Sequence, residues 1–384
     1  MMSKFVDTQE RMIFMKRLIS ILLLLCLMLT ACVAPQTETP ATTEPSITDP
    51  STEPSSEPTD PTTEPTTEPP VLYRNPLTGE PMDAPSENRP YAVMISNIKG
   101  ARPQHGTSQA AFLYEILAEG GITRCMAIFT DVSVVPALGS IRSARKYYVD
   151  IASSYDALYV HGGGSDEAYA YMKEIGFENM DGVNGAYSGS YFYRDQNRLD
   201  QGYQRVHTLF ISGQSVVDFA TRLKYTLTRP GGVSYGYTFD EENAFEGQTA
   251  NKIVVKFHTS AKPSSGTKST TLTYDPETNS YYAYQHAQNY IDGNTQEAVP
   301  FRNVLILKAE TNVQPENGSL LTINTYGTGT GYYACNGQMI PINWSRDGLN
   351  DPFVYTLEDG TPLTFGIGST YVAVIPTHNT IDVQ

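Results

Sequence analysis

Apolar and polar positions are arranged in two different ways along this chain, and the change falls near residues 230–236. Upstream of it, apolar runs at 91–96, 123–129 and 156–161 have the length of buried strands. Between and after them, apolar residues recur at helical spacing over 108–118, 144–153, 166–175 and 215–223. That order predicts an N-terminal α/β lobe, residues 71–230, with a central sheet of at least three strands. Downstream, ten short strand-like runs lie between 252 and 375, with turn signals at Asp275-Pro276, Asn336-Gly337 and Asp359-Gly360. The pattern predicts a C-terminal lobe, residues 237–384, that is all-β or nearly so, built as a sandwich or rolled barrel.

Residues 1–32 follow a different logic. Lys16 and Arg17 precede an apolar core, 18–29, that is too short to span a bilayer, and Leu29-Thr30-Ala31-Cys32 closes it. The tetrapeptide resembles the lipobox of bacterial lipoproteins, which implies cleavage before Cys32 and a lipid on its sulfur; an uncleaved short anchor is the other reading. Both put the rest of the chain on the extracytoplasmic face of the cell membrane. Met12 or Met15 is the expected start. Residues 33–70 are Thr, Glu, Ser and Pro with no Lys or Arg, a composition that cannot offset the entropy of ordering and is expected to form a disordered tether. At ~3.1 Å per residue such a tether reaches on the order of 100 Å. It carries eight acids (Glu38, Glu44, Asp49, Glu53, Glu57, Asp60, Glu64 and Glu68), over half of the formal net charge of -15. The folded part is only moderately acidic, with no basic excess of the kind that general nucleic-acid binding needs.

Of four cysteines, Cys26 lies in the targeting segment and Cys32 is the lipid acceptor, leaving Cys125 and Cys335. Their apolar and tyrosine-rich surroundings favour two buried free thiols, and a disulfide is the alternative that an oxidising compartment allows. There is no C-x-x-C or H-x-x-x-H pattern, so neither a metal site nor a cofactor is implied. The Gly-Thr-Gly-Thr-Gly run at 327–331 has no following helix and no lysine, and reads as a glycine-rich strand end or bulge rather than a phosphate loop.

Candidate chemistry concentrates in 138–171. The run at 156–161 stops at Gly162, Gly163 and Gly164, and Ser165 then opens a helical period. A strand that turns through glycines into a helix start leaves backbone N–H groups facing one crevice that favours negative charge. Arg142 and Arg145 lie three apart just upstream. With His161, Arg194, Arg205 and His207 they are expected to form a cationic pocket at the carboxyl ends of the strands, where open α/β sheets bind ligands. Each residue alone has a structural reading, an arginine pairing with Asp150 or Glu115 and a strand-end histidine held by hydrogen bonds; it is the cluster that favours function. Glu115 and Glu119 are four apart on the helix expected at 108–118, a spacing that suits a solvated face or an arginine partner better than a glycosidase acid pair. No Gly-x-Ser-x-Gly elbow is present.

Several segments in order resemble the YerB-like lipoproteins of Gram-positive bacteria: Arg-Pro-Tyr-Ala-Val-Met-Ile-Ser-Asn at 89–97, Ala-Arg-Pro-Gln-His-Gly at 101–106, Gly-Ser-Ile-Arg-Ser-Ala-Arg at 139–145, Val-His-Gly-Gly-Gly-Ser at 160–165, Arg-Val-His-Thr-Leu at 205–209 and Ile-Pro-Ile-Asn-Trp at 340–344. The likeness spans nearly all of 71–376. It implies lipoprotein topology and two parts, N- and C-terminal, of a domain of unknown function; it implies no activity. Arg205-Val206-His207 stands where relatives tend to have Ala-Pro-His. The expectation is a lipid-anchored, non-enzymatic binding or accessory protein of the cell envelope. Its partner would be a cell-wall glycan or an envelope protein, with membrane contact through Cys32. The alternative is a cell-wall hydrolase using His161 or His207 as general base.

Overall fold

A strand rich in apolar residues on both faces has to be covered on both faces, and four such strands form the centre of this protein. In the computed structural model, which describes residues 73–384 except 233, 261–266, 315 and 317–318, they are β1 (Tyr91–Ser96), β2 (Phe112–Leu117), β3 (Thr123–Phe129) and a strand near the C-terminus, Thr370–Pro376, every residue of which is buried. The targeting segment, the tether and Cys32 lie outside the described residues. After β3 come α1 (Lys146–Ser153), β4 (Leu158–His161), α2 (Asp166–Glu174), β5 (Asn179–Asp181) and α3 (Gly213–Arg222). The second half supplies β6 (Lys252–Phe257), β7 (Lys268–Asp275), β8 (Ser280–Gln285), β9 (Asn303–Ala309), β10 (Gly327–Cys335), β11 (Gln338–Arg346), β12 (Thr370–Pro376) and β13 (Ile381–Val383).

The main sheet runs β11-β10-β9-β12-β2-β3-β1-β4-β5, mixed in direction and extended by short strands. Its midline is the parallel pair β12–β2, Thr370 opposite Phe112 through Val374 opposite Ile116. The expected separate lobes, 71–230 and 237–384, therefore share one ladder, because β9 and β12 present a buried parallel pair that the edge of β2 continues. The described residues, from 73 onward, belong to one compact unit. The regular elements of the second half are nonetheless mainly strands, and a six-stranded antiparallel sheet built on β8-β7-β6-β13 packs beside the main one. Asn336 and Gly337, both at positive φ, make the two-residue turn between β10 and β11. The glycine-rich run lies inside β10, where Gly329 sits opposite Trp344 and a Cβ would come within 2.4 Å of the indole.

One expected element is overturned. Residues 108–118 form a short 3-10 turn, Thr107–Gln109, and then strand β2, not a helix. A continuous apolar run cannot be assigned by periodicity alone, and here the edges of β12 and β3 decide. Glu115, expected on a solvated face or beside an arginine, has a fully buried carboxylate. It accepts hydrogen bonds from Asn97 Nδ2 (2.9 Å), Thr123 Oγ1 (2.7 Å), Thr270 Oγ1 (2.8 Å), Gln285 Nε2 (3.2 Å) and Tyr371 OH (2.6 Å), and pairs with Lys268 Nζ at 2.7 Å. Burial pushes its pKa up, but Lys268 and the hydroxyl donors outweigh it and hold the carboxyl below its ordinary value.

Further polar ties cross the two halves. Asp150 of α1 accepts from Tyr171 OH and Tyr326 OH, each at 2.6 Å, and fully buried Arg346 donates to the Asp150 carbonyl at 2.6 Å. Cys125 and Cys335 are both free and buried. Glu115→Gln is expected to lower unfolding stability by about 3–5 kcal/mol, because it leaves the Lys268 ammonium buried without a counter-charge. Adding Lys268→Met should recover a large part of the loss. Urea midpoints of the single and double variants check this, and a single-variant loss under about 1 kcal/mol contradicts it.

Candidate functional site

The backbone first brings two sequence segments together. Gly162 N donates to Arg142 O at 2.9 Å and Ala144 N donates to Gly163 O at 2.9 Å, so the 142–145 segment lies along the glycine turn. Gly163 has φ +78°, the left-handed conformation that glycine adopts without penalty. Ser165 caps α2, its Oγ accepting from Ala168 N at 3.2 Å, with Asp166 and Glu167 in the first turn.

The donors expected to face a ligand there are largely taken by the protein itself. Gly163 N donates to Asp181 Oδ1 at 2.8 Å, and the same oxygen accepts from Val183 N at 2.8 Å. Burial would push the Asp181 carboxyl up, but nearby His161, Tyr169 OH and these two amides bring it below its ordinary value. Gly164 lies against the Tyr169 ring. His161 is fully buried, with Nδ1 2.8 Å from Gly163 O and Nε2 3.1 Å from Asn179 Oδ1. Asn179 Nδ2 donates to Phe177 O at 2.9 Å, which fixes that amide with its oxygen toward the ring. Both nitrogens of His161 are thus occupied and enclosed, and the expected general-base role has no route to a substrate.

Arg145 also finds its anion inside the fold. Its Nε and Nη2 lie 2.5 and 2.8 Å from the two oxygens of Glu119, the paired fork geometry expected of it toward a ligand. Arg124 Nη2 adds a third contact to Glu119 at 3.1 Å. Burial of Glu119 opposes ionisation, but Arg145 and Arg124 prevail and its pKa falls; Arg145 rises in turn despite its own burial. Glu119 stands on the 3-10 turn Glu119–Gly121 and Glu115 points into the core, so the two carboxylates do not share a helix face.

Arg142, Arg194, Arg205 and His207 do converge, around the 3-10 turn Arg205–His207. Arg142 Nη1 donates to Val206 O at 3.2 Å and Arg194 Nη1 to Arg205 O at 2.8 Å. None of the three arginines has a carboxylate within 4.0 Å among the described residues. Burial, then Arg124 and Arg145, push the Arg142 guanidinium down to about 10. Burial and repulsion from Arg142 and Arg198 likewise lower His207 below its ordinary value. Exposed Val206 and Tyr193 flank the arginines, giving the face a mixed aromatic, apolar and guanidinium character.

Sequence reasoning passed over Arg198, which holds this turn. It is 5% exposed; Nη1 donates to Ala101 O (2.9 Å) and His207 O (3.2 Å), Nη2 to Pro103 O, and its guanidinium lies over Phe210 at 4.8 Å. The signal available was only a lone arginine in a polar helical stretch, Gln196–Asp200. Lys99 and Arg102, beside the same turn, were missed as well.

A class can now be set by comparison. The chain is a mixed-sheet protein that belongs to the family described as "Protein of unknown function (DUF3048)": its N-terminal domain matches residues 77–226 and its C-terminal domain residues 259–372. Among particular relatives, the Bacillus subtilis (strain 168) protein described as "Putative lipoprotein YerB" is 28% identical over 302 residues, 78% of this chain and 86% of the relative. The crystal structure of the YerB protein from Bacillus subtilis superimposes with a TM-score of 0.69 at 26% identity, covering 80% of this chain and 99% of that one.

Arg145→Lys keeps the charge but cannot reproduce the two-point contact with Glu119. It is expected to lower stability by about 1 kcal/mol, and Arg145→Ala by about 1–3 kcal/mol, since Glu119 would keep Arg124 alone. Chemical denaturation measures both, and two unchanged midpoints would show that the Arg145–Glu119 pair is not structural.

Proposed function

We propose that this chain is a lipid-anchored protein on the extracytoplasmic face of the cell membrane that binds an anionic envelope ligand, or a partner's acidic segment, without cutting it. The observation that carries the reading is Arg142, half-buried beside Arg124 and Arg145 with the Val206 carbonyl as its side-chain acceptor among the described residues. A guanidinium close to two other cations, with Glu119 as a counter-charge beyond 4.0 Å, is costly in the free protein, and an incoming carboxylate or phosphate relieves that cost. Arg194 and Arg205 extend the positive face, and Tyr193 and Val206 supply the contact area typical of recognition surfaces. The anchor rests on the Leu29-Thr30-Ala31-Cys32 segment and accords with the lipoprotein name of the Bacillus relative. A role as an accessory to peptidoglycan synthesis or remodelling suits that place, and the engagement of both His161 nitrogens favours binding over hydrolysis.

Retention on purified cell walls tests the binding face. Arg142→Gln and Arg205→Gln are each expected to weaken retention about tenfold at low salt while stability stays within about 0.5 kcal/mol, as neither arginine has a carboxylate to lose. Wild-type retention should fall as salt rises. Salt-independent retention, or release of new soluble fragments from the walls, would overturn this reading. The anchor has its own test. Cys32→Ala should abolish metabolic lipid labelling, because one sulfur is the acceptor; unchanged labelling contradicts the anchor.

A further inference from the structure

Beside the arginine face, residues 98–102 and 201–207 line a largely open hollow of about 450 Å³, formed by Ile98, Lys99, Gly100, Arg102, Tyr203 and His207 among others. Its volume is within the range of small-molecule sites. No Asp or Glu lines it, although the chain as a whole carries a formal charge of -15. Lys99 has no carboxylate within 4.0 Å among the described residues.

Internal hydrogen bonds take up several carbonyl groups beside this hollow. Arg198 takes the carbonyls of Ala101, Pro103 and His207, and Tyr203 OH donates to Arg102 O at 2.8 Å. Arg102 spends its two terminal nitrogens on Gln285 O (2.9 Å) and Asn289 O (2.6 Å), but its Nε is buried with no partner. His207, 4% exposed, likewise has a buried Nδ1 with no partner. Two of the residues that line the hollow thus each carry a buried nitrogen without a partner among the described residues, a departure from the rule that such groups are paired. Gly100 lies across from the other ring nitrogen, and a Cβ there would sit 3.7 Å from His207 Nε2.

We infer that this hollow is a binding site for a small organic anion of about monosaccharide size, its carboxylate or phosphate group held by Lys99 and the His207 ring. Arg142, Arg194 and Arg205 do not line the hollow and His207 adjoins both, so the two sites are told apart by Lys99 and Gly100 on one side and Arg142 on the other. Nδ1 is buried, so Nε2, on the Gly100 side, is the ring atom offered to a ligand, and it can donate to an acidic oxygen or accept from a hydroxyl according to the tautomer.

The test uses the purified full-length chain in detergent, with isothermal titration of glucuronate, glucose 6-phosphate and glucose. Saturable binding of one or both acids, with glucose at least about tenfold weaker, is the expected result, and the two acids separate carboxylate from phosphate recognition. Lys99→Gln, on the surface, and Gly100→Leu, which fills the mouth, should each weaken the acid that binds by about tenfold or more. Arg142→Gln should leave that binding within about twofold, although it weakens wall retention. Equal binding by the Lys99 and Gly100 variants and the parent, glucose binding as tight as the acids, or no binding up to about 10 mM overturns the site. Loss of acid binding in Arg142→Gln alone would overturn it too, by assigning the anion to the arginine face.

Discussion

A carboxylate taken wholly out of water has to be matched in charge and in every lone pair, and Glu115 meets that demand only when both halves of the chain are in place. Asn97 and Thr123 come from the first half, while Lys268, Thr270, Gln285 and Tyr371 come from the second. The same carboxylate lies on β2, the strand whose edge accepts β12, so the charge pair and the ladder impose one register together. A one-residue slip would turn Glu115 away from Lys268 and bury both charges unpaired. Replacing such a pair with apolar residues often costs little, and its value here is that it rejects alternative pairings of a long, mostly apolar sheet.

The arginines separate according to what answers them. Arg145 and Arg124 close on Glu119, and Arg346 and Arg198 are absorbed by carbonyl groups. Each of these fixes a loop or joins two elements, and Arg198 in particular ties the 101–103 segment to the 205–207 turn. With its carbonyls consumed in this way, the turn presents Arg142, Arg194 and Arg205 on its surface and His207 to the neighbouring hollow. The positive field at the turn thus follows from the internal bookkeeping of hydrogen bonds as much as from the number of basic residues.

The sequence by itself determined the local elements whose signals are local. The runs at 91–96 and 123–129 are strands, the glycine-to-Ser165 corner starts a helix, and Asn336-Gly337 joins two strands, because turn chemistry, capping and apolar run length act over a few residues. It also brought the 142–145 and 162–165 segments into one neighbourhood, and Arg142, Arg194, Arg205 and His207 into one cluster. The tertiary structure alone decided the rest. Whether residues 112–117 were helix or strand depended on the edges of β12 and β3, the former more than two hundred residues away in sequence. Whether Arg145, His161 and the Gly163 amide faced a ligand or the protein depended on Glu119, Asn179 and Asp181, acceptors set in place by packing rather than by spacing. A side chain's charge is written in the sequence, but the partner that neutralises it, or the lack of one, exists only once distant segments meet.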